Sequence, residues 1–119
     1  MNQTTTRTVV AWIAQILSAL IVLAAATGKL LGRPGWIERF RNWGYPDGFY
    51  FVIGVLELLG AITLLFPRMA GRPAAGLLVI MLGALLTHLF HGEGLAVLRP
   101  LIVIVLLVAV LWLRGFGSR

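Results

Sequence analysis

Residues 49–66 read FYFVIGVLELLGAITLLF, an eighteen-residue apolar run with a single charge, Glu57, at its middle. A membrane-crossing helix needs roughly 20 mostly apolar residues, within a range of about 17–25. Inside lipid the backbone must satisfy its own hydrogen bonds, so a run of this length reads as a helix. Three more runs of the same character lie at about 9–31, 73–91 and 95–113. Such helices could also form the core of a large soluble protein, but 119 residues cannot enclose four of them. The expected fold is all-α: an integral membrane four-helix bundle, one transmembrane domain over residues 1–119.

Composition agrees. Hydrophobic residues make up 60% of the chain and charged residues 12%, where a soluble domain is nearer half and a quarter. Too few polar side chains remain to cover a water-facing surface, which excludes a soluble enzyme and a disordered tail alike. There is no cysteine, hence no disulfide framework, thiolate metal site or Cys-x-x-Cys redox pair. The net charge of +6 comes from basic residues spread over the joints between apolar runs. They form no basic stripe, so anionic lipid headgroups, and not nucleic acid, are the expected partner. The first run contains Ala24-Ala25-Ala26, which resembles a signal-peptide cleavage site. The run is longer than a signal peptide's apolar core and only Arg7 precedes it, so a retained helix is expected.

The joints differ in character. Residues 67–72 and 92–94 are short turns that make their flanking helices antiparallel neighbours. The first connection, Gly32 to Gly48, is longer. Pro34 suits a first helical position, and Trp36, Ile37, Phe40 and Trp43 then recur at helical spacing opposite Glu38, Arg39, Arg41 and Asn42. Segment 34–43 therefore reads as a short amphipathic helix at the membrane surface, with an ordinary loop carrying aromatic anchors as the alternative. Gly44-Tyr45-Pro46-Asp47-Gly48 closes it as a turn.

Four spans put both termini on one side. Arg7, Arg68, Arg72, Arg114 and Arg119 fall on that side; Lys29, Arg33, Arg39, Arg41 and Arg99 fall on the other. The balance is even unless Lys29 and Arg99 belong to the helices. In that case the terminal side leads, and cytoplasmic termini in a cell (inner) membrane are expected.

An ionisable group at membrane depth costs about 2.5–3.5 kcal/mol on insertion scales, and polar side chains there usually face a partner or a cavity. The candidates are Gln15, Lys29, Glu57, His88, His91 and Arg99. Helix direction and a rise of about 1.5 Å per residue place all but Gln15 in the half of the bilayer away from the termini. Helical steps also place all but Arg99 on faces shared with small residues: Gln15, Ser18, Val22, Ala25 and Lys29; Tyr50, Gly54, Glu57 and Ala61; Met81, Ala84, His88 and His91. The polar faces are therefore expected to point inward together. Glu57 and His88 are the acid–base candidates, since carboxyl and imidazole groups change charge under the control of their surroundings. Lys29, Arg99, Gln15 and His91 are the ligand-binding candidates, with Lys29 and Arg99 suited to an anionic or carbonyl oxygen. A purely fastening role, Glu57 pairing with Lys29 or Arg99, explains the same residues, as does a proton or solute path. His88 and His91 have a spacing that could supply two metal ligands, but spacing fixes no third ligand, so no metal or haem is expected there.

The chain resembles the DoxX and DoxX-like family of small four-helix membrane proteins. The residues that carry the resemblance are Thr27-Gly28-Lys29-Leu30, Trp36, Gly44-Tyr45-Pro46, Ile53-Gly54-Val55-Leu56-Glu57-Leu58-Leu59-Gly60 and Ala84-Leu85-Leu86-Thr87-His88. The resemblance implies a bacterial inner-membrane bundle with motif positions Gly28, Lys29, Gly54, Glu57 and His88. One branch of the family is linked to a thiosulfate:quinone oxidoreductase as a small membrane subunit. Three readings follow. The first is an intramembrane pocket for a quinone or other lipophilic compound in redox chemistry, with any redox centre supplied by a cofactor or partner subunit. The second is a non-enzymatic structural or assembly subunit in which Trp36, Phe40 and Trp43 dock a partner or the bilayer. The third is an acid–base isomerase or hydrolase using Glu57 and His88. Expected partners are the lipid bilayer, a lipophilic small molecule, a membrane or redox subunit, and a second copy of the chain.

Overall fold

A computed structural model describes residues 2–115 of the chain; Arg119, counted above with the terminal-side cations, lies outside them. Over the described residues the fold is all-α, with five helices: α1 (Gln3–Leu30), α2 (Pro34–Asn42), α3 (Phe49–Leu64), α4 (Gly71–Phe90) and α5 (Leu98–Arg114). Short 3-10 turns at Pro67–Met69 and Gly94–Val97 lead into α4 and α5.

α1 packs on α3 and α5, and α4 packs on the same two, so the four longer helices close into a ring. The seam is filled by Val22, Ala61, Leu64, Leu77, Val103, Leu107 and Val110, all essentially without exposure. Small residues let the helices approach: a Cβ at Gly60 would stand 2.7 Å from Leu77 Cδ2. The outward faces are apolar too, with Val79 70%, Trp112 75% and Phe90 83% exposed. An apolar patch of this extent on a water-soluble monomer would be unusual.

Three helical segments are long and apolar enough to cross a membrane: Gln3–Leu30, Gly71–Phe90 and Gly94–Arg114, the last including its 3-10 lead-in. The fourth apolar helix, Phe49–Leu64, has 16 residues, about 24 Å at 1.5 Å per residue, against a hydrocarbon core of about 30 Å. It stops two residues before the expected end at Phe66. Pro67 follows, and Phe66 takes the extended conformation (φ −94°, ψ 108°) that a residue before proline prefers. At the other extreme, α1 begins at Gln3, well before the apolar run. Asn2 caps it by accepting a hydrogen bond from the Thr5 amide at 2.8 Å, and Thr6 and Thr8 bond back to carbonyls one turn earlier.

α2 occupies nearly the segment expected of the amphipathic helix. Its aromatic face is turned into the bundle: Phe40 is buried and its ring lies 5.3–6.3 Å, centroid to centroid, from Trp36, Trp43, Tyr45, Phe49 and Tyr50. That face, read in the sequence as one for the bilayer or a partner, covers one end of the ring, with Trp36 and Trp43 half-buried.

Candidate functional site

The site is built at the end of the ring covered by α2. Lys29, in the last turn of α1, donates from Nζ to Glu57 Oε1 of α3 at 2.7 Å, with both side chains nearly inaccessible. Two glycines make this possible. A Cβ at Gly54, one turn before Glu57, would stand 3.0 Å from Lys29 Cβ and 3.3 Å from Leu30, so α1 lies against α3 at the level of the pair. A Cβ at Gly28 would stand 2.6 Å from Trp36 Nε1, so the indole can settle on α1. Its ring then lies 4.0 Å from Lys29 Nζ, a cation–π contact that adds to the carboxylate's hold on the ammonium.

The opposite wall is joined by two helix ends. Just past the ends of α2 and α4 stand left-handed glycines, Gly44 (φ +87°) and Gly92 (φ +60°). In each, the amide after the glycine bonds back to a carbonyl five residues earlier: Tyr45 to Phe40, and Glu93 to His88. This is the Schellman arrangement, which brings side chains five residues apart into contact. In α2 the pair is Phe40 and Tyr45; in α4 it is His88 and Glu93, whose Nδ1 and Oε1 meet at 2.6 Å. Trp43 Nε1 donates to both Glu93 oxygens, at 3.1 and 3.0 Å, and its ring meets His88 edge-on at 5.3 Å. Next to His88, Thr87 donates to Gly83 O at 2.8 Å, which leaves its oxygen to accept from the Tyr45 hydroxyl at 2.6 Å. The hydrogen bonds from His88 and Trp43 hold the Glu93 carboxyl below its ordinary value of 4.5.

Between these walls is a half-open cavity of about 680 Å³, within the roughly 300–1,000 Å³ of small-molecule sites. Four of the six candidate residues line it: Lys29, Glu57, His88 and Arg99. Ala25, Phe49, Ile53, Ile80, Met81 and Ala84 contribute to its apolar wall, and the lining also includes Arg39, Trp43, Tyr45, Thr87 and Glu93. Sequence reading assigned none of these last five to the site, although Tyr45 and Thr87 stand in motifs that carry the family resemblance.

The other two candidates lie outside the lining. Gln15 is at the opposite end, fully buried, where Nε2 donates to Leu64 O at 2.8 Å and Oε1 accepts from Arg114 Nε at 2.8 Å. It thereby satisfies a carbonyl left free where α3 stops. His91 is exposed, and its Nδ1 lies 2.8 Å from Thr87 O of its own helix. The two histidines thus turn to different partners, and among the described residues no three His, Asp or Glu side chains gather as a metal-binding group.

The DoxX-like family profile matches residues 13–110. The chain belongs to the DoxX-like family. That match spans all four helices of the ring and every lining residue named above. The uncharacterized protein YdgD of Bacillus subtilis (strain 168) is 29% identical over 101 residues, covering 82% of this chain and 89% of that protein. No solved structure matches the chain. The geometry gives the DoxX-like motif positions distinct tasks: Gly28 seats Trp36, Gly54 seats α1, Lys29 and Glu57 join α1 to α3, and His88 joins α4 to the segment after α2.

Proposed function

We propose that this DoxX-like protein is an integral membrane four-helix bundle that binds a lipophilic small molecule in the cavity beside the Lys29–Glu57 pair. The observation that carries this reading is the coexistence of that closed pair with a cavity next to it. Fastening alone explains the pair but gives no role to the half-open cavity of about 680 Å³ beside it, whose concave, mostly apolar form with a few polar groups is that of a small-molecule site. The apolar wall suits a hydrocarbon body. The polar groups gathered at one end suit a head bearing oxygen, as a quinone does. Redox chemistry would then rest on that quinone and on a partner subunit, because the chain has no cysteine and no recognisable redox centre.

All four long helices span the cell (inner) membrane on this reading, with cytoplasmic termini. The 16-residue α3 is matched by local thinning of the bilayer, a modest cost, and Gln15 supplies a partner for its free end. The belt of exposed Val, Leu, Ile and Phe side chains faces lipid. The acid–base enzyme has less support, because Glu57 and His88 are each committed to an oppositely charged or hydrogen-bonding partner.

Quinones quench indole emission, and Trp36 and Trp43 line the cavity. A short-tailed benzoquinone is therefore expected to quench the purified protein saturably. In Ala84→Phe, which fills the cavity from α4, saturation should disappear. Linear, unsaturable quenching in both proteins would remove the support for this reading.

A further inference from the structure

Charge on the cavity wall is unbalanced. Lys29 and Glu57 neutralise one another at 2.7 Å, and Glu93 is held by Trp43 and His88. Arg39 and Arg99 also line the cavity, and among the described residues neither has an acidic partner. The recorded contact of Arg39 is the Trp36 ring, 5.1 Å from its guanidinium carbon. The two come from different elements, α2, which covers this end of the ring, and the first turn of α5, which begins there. They therefore lie toward that end of the cavity, whose lining also includes the apolar side chains of Ile53, Ile80 and Met81.

We propose, resting on the binding function above, that the ligand is an anionic amphiphile. Its carboxylate, phosphate or sulfate head sits between Arg39 and Arg99, and its apolar body runs along Ile53, Ile80 and Met81. Guanidinium groups present planar forks that match such oxyanions. The volume suits a single chain or a compact ring system better than a two-chain lipid.

Bromine on a ligand quenches nearby indoles, and Trp12 and Trp112 are absent from the lining. The full chain carrying Trp12→Phe and Trp112→Phe, in neutral detergent, would be titrated with dibrominated stearate and with dibrominated stearyl alcohol, at an alkaline pH that ionises the acid. Stearate is expected to saturate at about tenfold lower concentration than the alcohol, the order expected of a charge-assisted contact. Adding Arg39→Gln and Arg99→Gln should erase that preference. Should that variant fail to fold, the unaltered arginines give the same answer through salt, because the preference should shrink as ionic strength rises. A phosphatidylglycerol with dibrominated chains distinguishes the source of the anionic head: saturation by it assigns a bilayer lipid, and its failure assigns a free amphiphile. Equal saturation by acid and alcohol would overturn this inference and leave the binding function standing. Saturation by neither would overturn both.

Discussion

Lys29 and Glu57 meet at 2.7 Å across α1 and α3, with 5% and 2% of their side chains exposed. Two opposite charges so enclosed stabilise the bundle only as a pair. Lys29→Met or Glu57→Leu alone leaves one charge uncompensated and is expected to cost about 3–5 kcal/mol. The double variant should recover most of that loss. Thermal unfolding of all four proteins in one detergent completes the cycle, and equal destabilisation by the single and double variants would contradict the pairing.

Gly28 carries a second prediction. Its Cβ position lies 2.6 and 2.8 Å from two atoms of the Trp36 indole, so Gly28→Ala must displace that ring from Lys29. Overpacking of this kind costs about 1–3 kcal/mol. Trp36→Leu should make the same alanine nearly harmless. The non-additivity of the two changes in unfolding measurements is the expected signature.

At the opposite end, Gln15 holds both Leu64 O and Arg114. Gln15→Leu keeps the volume but strands an acceptor and a cation, and should destabilise by about 1–3 kcal/mol. Because Gln15 lies outside the cavity lining, quinone quenching in the folded variant should match wild type. Weakened binding at unchanged folding would assign Gln15 to the site instead.

The link between Trp43, Glu93 and His88 gives a pH dependence. The folded-state value of Glu93 lies below 4.5, so its unfolded state takes up a proton first as the solution is acidified. The link's contribution is therefore complete at pH values above 4.5 and is lost as pH falls through the lowered value. Glu93 is largely exposed and solvent screens the effect, so a small loss of melting temperature is expected on acidification, absent in Glu93→Gln. An identical acid response in both proteins would show that other groups carry it.

The gathering of Lys29, Glu57, His88 and Arg99 on one cavity was legible in sequence, because antiparallel helices of known rise convert position along the chain into depth. The role of Gln15 was not, since Leu64 O becomes a free acceptor only where α3 stops, and that end is set by Pro67. The direction of the α2 aromatic face was equally hidden: an apolar stripe fits lipid or a bundle end alike. Trp43 and Glu93 lie 50 residues apart, and only the two left-handed glycine ends, at Gly44 and Gly92, bring them together.

Native mass spectrometry of the protein released from mild detergent tests the central claim most directly. Wild type should carry a bound lipophilic small molecule that persists when detergent adducts are stripped, and Ala84→Phe, equally folded, should not. No retained species in wild type, or the same species retained by both proteins, would contradict a ligand-binding cavity beside Lys29 and Glu57.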